Sequence, residues 1–168
     1  MQPIVNRVTQ SSLITLDLTN FKPTNEVIGF DLKDYLFREL LLREKDFRLA
    51  MKEHDWLQYG GKHLAVFCSS DAIVPMWAYM LIAQYAAPIA ESVDAGSVDE
   101  VTDKLWIQNI EHMATNELKD KPVILKGCGD KSISPEAYLK ATAVLQPIVR
   151  SLMYGEACSS VPVYKRKR

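Results

Sequence analysis

Along residues 13–18, LITLDL, apolar and polar side chains alternate, and they alternate again along 26–32, EVIGFDL, with the turn residues FKPTN in between. A period of two is the mark of a half-buried strand, so the pattern predicts two strands joined as an antiparallel hairpin. From 31 to 56 the period lengthens to three and four. Leu32, Tyr35 and Leu36 repeat this way, then Phe47, Ala50, Met51 and His54, which predicts helix interrupted near Arg43. After QYGG, the run KHLAVF at 62–67 predicts a buried strand. The segment 75–92, rich in Ala, Met and Leu, predicts a buried helix with Pro75 in its first turn. SVDAG predicts a brief extended piece, and Ser97 is placed to cap a surface helix with Val101, Leu105 and Ile110 along one side. KPVILK at 121–126 predicts a further strand, Ser134 and Pro135 open a helix running to about Met153, and VPVYK at 161–165 predicts an edge strand, where its proline is tolerated.

Strands alternating with helices predict an α/β fold. The expectation is a single domain over residues 1–168, with a mixed, mostly parallel sheet to which the first two strands add antiparallel pairing.

The chain also resembles itself. VFCSSDAIVP at 66–75 faces KGCGDKSISP at 126–135, so that Cys68, Ile73 and Pro75 lie sixty positions before Cys128, Ile133 and Pro135. After a gap of one residue, Ala78 and Tyr79 match Ala137 and Tyr138, and Pro88, Ile89 and Ser92 match Pro147, Ile148 and Ser151. Two similar βα units are therefore predicted, at 62–92 and 121–151, each helix bent by a late proline. In such units the cysteines follow the carboxyl ends of strands, the edge at which open α/β sheets form ligand crevices. Cys158, in GEACSSVPVY, stands at the chain reversal before the last strand and is expected at that edge too.

Composition narrows the chemistry. With 168 residues, 48% hydrophobic and 24% charged, the chain has the balance of an ordinary soluble globular protein, long enough to fold without disulfides or metal. Its opening lacks the charged and apolar regions of a secretory leader, and no run reaches the roughly 20 apolar residues of a membrane span, so a cytoplasmic protein is expected. Three cysteines do not make a disulfide framework, and in a reducing compartment they are free thiols, ligands or nucleophiles. A net charge of −1 argues against general affinity for nucleic acid, although KRKR at 165–168 offers four adjacent cations, read first as a frayed, solvated segment.

Each cysteine sits among small residues, where free backbone amides stabilise a thiolate. Three such thiolates meeting at one point would hold zinc or an iron-sulfur cluster, with Asp71 or His54 as fourth ligand. Packed apart, they would be small hydrophobes instead. His63 and His112 read as strand and helix-end residues. GCGDKS lacks the GxxxxGK[ST] phosphate loop, and the G-x-S-x-G, H-E-x-x-H and G-x-G-x-x-G signatures do not occur.

EHDW at 53–56, CSSDAIVPMWAYM at 68–80, KGC at 126–128 and YGEACSSVPVYKRK at 154–167 resemble the motifs of a bacterial family, domain of unknown function 2480, over essentially the whole chain. Members of that family are often encoded near iron-sulfur cluster assembly genes. The resemblance therefore implies iron-sulfur assembly proteins as partners, and it favours Cys68, Cys128 and Cys158 as metal ligands. Three functional readings stand open. The first is a non-catalytic metal-binding accessory protein, holding zinc or an iron-sulfur cluster. The second is a thiol-dependent enzyme of sulfur transfer with Cys68 or Cys128 as nucleophile and Asp71 as base. The third is a structural or partner-binding domain with buried cysteines, whose KRKR segment docks a partner. The residues alone do not decide whether the protein is an enzyme.

Overall fold

The computed structural model describes residues 13–127, 133–156 and 158–167. Among them the chain forms β1 (Ile14–Asp17), β2 (Val27–Asp31), α1 (Glu44–Glu53), β3 (His63–Phe67), α2 (Met76–Ala86), β4 (Ser92–Ala95), α3 (Val98–Glu111), β5 (Pro122–Lys126), α4 (Pro135–Leu145), β6 (Ser151–Glu156) and β7 (Ser159–Lys165). This is an α/β fold with mostly parallel strands, as the alternation of elements predicts. The strands form two sheets, ordered β1-β5-β6-β7 and β2-β3-β4.

The expected hairpin is not formed. β1 runs parallel to β5 and β2 parallel to β3, in different sheets, and the antiparallel pairing belongs to β6 and β7. The turn residues at 21–25 lie between strands of separate sheets. At the end of each strand an aspartate closes a tight 3-10 turn: Asp17 Oδ1 accepts from the Thr19 amide and Asp31 Oδ1 from the Lys33 amide, each at 2.9 Å. Leu18 and Leu32, the next residues, are fully buried. The turns thus seat one leucine apiece where a hairpin would have carried the chain straight back.

Two compact units result: unit 1, Met1–Lys22 with Asp103–Arg168, and unit 2, Pro23–Thr102. The core of unit 1 gathers Leu18, Trp106, Ile110, Val123, Leu145 and Leu152, and that of unit 2 gathers Phe30, Leu32, Phe47, Met51, Leu64 and Ile82. In unit 1 the Trp106 indole also donates to the Leu18 carbonyl at 2.7 Å, fixing α3 to the end of β1. Ser97 caps α3 as expected, in a capping box: its amide donates to the Glu100 carboxylate at 2.8 Å and its hydroxyl accepts from the Glu100 amide at 3.3 Å.

The two units repeat one plan at a spacing of 59 residues. α2 begins at Met76 and α4 at Pro135, and their buried residues correspond: Ala78, Ile82 and Ala86 with Ala137, Ala141 and Leu145. Phe47 and Met51 of α1 correspond to Trp106 and Ile110 of α3, all four fully buried. The turns match bond for bond. Glu91 donates its amide to the Lys62 carbonyl at 2.8 Å, and Arg150 donates to Lys121 at 2.9 Å. Gly61 and Asp120, both at positive φ, take the same place in the two copies.

That spacing corrects two expectations. Pro88 and Pro147 do not bend their helices, because α2 ends at Ala86 and α4 at Leu145, and each proline lies in the turn that follows. The region 146–153, expected to be helix, turns and enters β6 at Ser151, just as Ala86 is followed by a turn and β4 at Ser92.

Candidate functional site

Of the residues that the sequence singles out, unit 2 carries Cys68, Asp71 and His54. β2 and β3 are parallel neighbours, so their carboxyl ends lie side by side with Asp31 paired to Phe67. Asp31 Oδ1 accepts from the Ser69 amide at 3.0 Å as well as from Lys33, tying the loop after β3 to the end of β2. Burial alone would raise the Asp31 pKa. The Ser69 hydroxyl, the Lys33 and Ser69 amides and the Lys33 charge outweigh it and hold the carboxyl below its usual value.

Cys68 stands in that loop, half-buried against the unit 2 core. Its Sγ lies 3.4 Å from the Ser70 hydroxyl, and Asp71 is exposed. The thiol's hydrogen-bonding neighbour is therefore a hydroxyl. Cys158 is exposed at the turn between β6 and β7 in unit 1, at the carboxyl edge of the other sheet. Cys128 and Asp130 lie outside the described residues. Across the repeat, the residue following β5 in the place of Cys68 is Gly127, so the match of cysteine to cysteine at sixty slips by one from the structural spacing.

These positions overturn the metal-binding reading. Among the described residues no group of three or more His, Cys, Asp or Glu side chains could hold a metal ion. Cys68 and Cys158 belong to separate sheets; Cys68 packs half-buried against the unit 2 core, whereas Cys158 is exposed.

His54 is engaged elsewhere. Its Nδ1 lies 3.3 Å from the Tyr35 hydroxyl and its Nε2 lies 2.9 Å from the Tyr59 hydroxyl. Burial lowers its pKa, against the smaller pull of Asp55, so the neutral ring is favoured, donating from one nitrogen and accepting at the other. Phe30 stacks between Tyr35 and Trp56, and Trp56 stacks on Tyr85. With both nitrogens facing tyrosine hydroxyls, His54 is the hub of an aromatic cluster, and the fourth-ligand role expected of it has no free nitrogen to use. Its counterpart in unit 1 is Met113, a buried core residue.

An apolar concavity opens in unit 1. A groove of about 480 Å³ runs between α4 and the β6–β7 edge, lined by Ile133, Tyr138, Leu139, Thr142, Tyr154 and Val163 among others. Its origin is topological. Unit 2 ends its sheet at β4, whereas unit 1 adds β7 outside β6, so the sheet carries one strand more than its counterpart beneath an equivalent helix. Leu139 is 72% exposed, Val163 54% and Tyr154 39%. Tyr138 and Tyr154 meet edge to face at 5.6 Å and form the groove floor. The Tyr138 hydroxyl reaches over Gly127, where a Cβ would stand 2.5 Å from it.

None of these groove residues was expected from sequence. The signal was available in the repeat, because the extra strand β7 has no counterpart after β4. Outward-facing Val161 and Val163 on an edge strand are unusual for a solvated surface.

No helix among the described residues is long and apolar enough to cross a membrane. No curated protein and no solved structure matches the chain. A family model described as a protein of unknown function, DUF2480, matches residues 2–166, nearly the entire chain. The chain that builds this pair of sheets, its aromatic hub and its open groove therefore belongs to the DUF2480 family.

Proposed function

We propose that the protein is a binding module that holds an apolar segment of a protein partner in the groove between α4 and β7. The observation that carries this reading is the exposure of Leu139, Tyr154 and Val163 around one concavity of unit 1, on a helix and two paired strands whose backbones are already fixed. Exposed apolar residues gathered at one place mark an interaction surface, whereas the same residues scattered would not. Tyr138 and Tyr154 supply rigid aromatic contact area of the kind that dominates binding energy at interfaces. The basic residues at the end of β7 favour a partner with negative charge beside its apolar side chains. A peptide is the better fit than a small metabolite, because the lining offers few polar groups to orient one.

A photo-crosslinking side chain at position 139 of the full chain, activated in the cells that make it, tests the proposal. The expected result is a partner that, once identified and purified, binds the wild type and binds Val163→Glu at least tenfold more weakly, while Met80→Glu on unit 2 leaves binding intact. Crosslinks to a second copy of this chain alone, or equal losses for both variants, would overturn the reading.

A further inference from the structure

At the other end of β7 the chemistry changes from apolar to cationic. Arg150, Ser151, Lys165, Arg166 and Lys167 line a cleft of about 700 Å³. Within the basic segment expected to be solvated and frayed, Arg166 is held in place. The Arg166 amide donates to the Arg150 carbonyl at 3.0 Å. Its guanidinium pairs with the Asp120 carboxylate and donates to the Pro147 and Ile148 carbonyls at 3.1 and 3.3 Å. One cation of the run is thus spent on anchoring the chain to the turn after α4. Its neighbours Lys165 and Lys167 are exposed, as is Arg150, and among the described residues none of the three has a carboxylate partner.

Unit 2 serves as the comparison. The residue in the place of Arg150 is Glu91, and the residue in the place of Asp120 is Gly61. Ser92, which stands where Ser151 does, is engaged by His63 Nδ1 at 2.9 Å and donates to Asp94 at 2.8 Å. In unit 1 the positions of those two partners are taken by Pro122 and Met153. The charge at this turn is reversed between the copies, and the hydroxyl beside it loses the side-chain partners it has in unit 2.

We propose that this cleft binds an acidic polypeptide segment, its carboxylates meeting Arg150, Lys165 and Lys167. Three cations lining one cleft, none of them paired with a carboxylate among the described residues, are complementary to several carboxylates of one chain. A nucleic acid strand needs bases stacked on exposed rings, and the cleft lining contains no aromatic residue. The net charge of −1 also withholds the long-range field that gathers a polyanion. The cleft reading shares the basic residues at the end of β7 with the proposed function, and it does not depend on what occupies the groove.

The test is fluorescence anisotropy of a labelled hexaglutamate peptide titrated with the full chain at low and at physiological salt. Saturable binding is expected, weakened tenfold or more by Arg150→Glu with Lys165→Glu, and weakened by Lys167→Glu, which lies beyond the strand and leaves β7 intact. Lys140→Glu, a charge reversal elsewhere on unit 1, should leave binding unchanged at physiological salt. Inorganic phosphate at equal molarity should not displace the peptide, and an oligothymidylate should bind more weakly than hexaglutamate. Failure of saturation, equal loss with Lys140→Glu, displacement by phosphate, or preference for the oligothymidylate would each overturn the proposal.

Discussion

Gly127 and Tyr138 form a lock whose strength can be measured by a pair of substitutions. A Cβ at position 127 would stand 2.5 Å from the Tyr138 hydroxyl, 3.0 Å from Ile133 Cδ1 and 3.4 Å from Tyr138 Cζ. The first contact is about 1 Å too short, the second a few tenths, and the third is ordinary van der Waals contact. Gly127→Ala therefore forces the tyrosine ring aside, at a cost of about 1–3 kcal/mol for an overpacked site. Tyr138→Phe removes the offending atom. In the double variant the nearest ring atom is the Cζ already at acceptable distance, so the two changes together should cost less than their sum by about 1–2 kcal/mol. Native-state hydrogen exchange at residues 123–125, in the strand that leads into Gly127, reads this coupling within unit 1. Strict additivity would refute the steric argument. Because Tyr138 also floors the groove, Gly127→Ala alone should change the groove's affinity for its partner, and the double variant should restore much of it.

Further expectations follow from other parts of the molecule. Gly155 has φ +116 and would place a Cβ 2.7 Å from the Ser159 carbonyl oxygen, so Gly155→Ala should cost about 2–3 kcal/mol or more through strain and a backbone clash; an unchanged thermal midpoint would contradict this. His54 has a lowered pKa in the folded state, so the unfolded chain takes up its proton first. Stability should fall as pH drops below the ordinary imidazole value of 6.5 and continue falling until the folded-state pKa is passed. His54→Phe should flatten that dependence between pH 7 and 5 in urea titrations. Asp31→Ala removes both the cap on the Lys33 turn and the anchor of the Ser69 amide, which should cost about 1–2 kcal/mol and raise hydrogen exchange in the loop at 68–72. The Asp31 contribution is present above the ordinary carboxyl value of 3.8 and disappears as pH falls through the lowered folded-state value.

The strands β1, β2, β3, β5 and β7 were legible because their patterns are short and punctuated by turn residues. β6 was not: Leu152, Met153 and Tyr154 read on naturally from the helix before them, and Leu and Met favour helix. The repeat held the answer, since SLMYG stands where SVDAG does, and that segment was correctly expected to be extended. The division into two sheets left no local trace, because an apolar strand buries itself equally well against any parallel neighbour. The cysteines misled for a related reason. Strand-end position is encoded locally, but whether two strand ends share a sheet is decided by tertiary pairing. The aromatic hub was half visible, with His54 on a helical stripe, yet its tyrosine partners come from 19 residues before it and 5 after it, one on each side of α1. The cationic cleft was visible only as KRKR, and its anchoring depends on Asp120, some 46 residues away.

The insertion of unit 2 within unit 1 gives the molecule a timetable. β1 pairs with β5, Ile14 opposite Val123, across more than a hundred intervening residues. As the chain leaves the ribosome, β1 emerges long before its neighbour exists, whereas every strand of the β2-β3-β4 sheet is complete by Ala95. Unit 2 is thus able to fold during synthesis, and its folding shortens the loop that β1 and β5 must close, lowering the entropic cost of that encounter. Until then β1 waits with an open edge, so slow translation through residues 96–126 should expose the nascent chain to aggregation or chaperone capture more than a pause anywhere after β5.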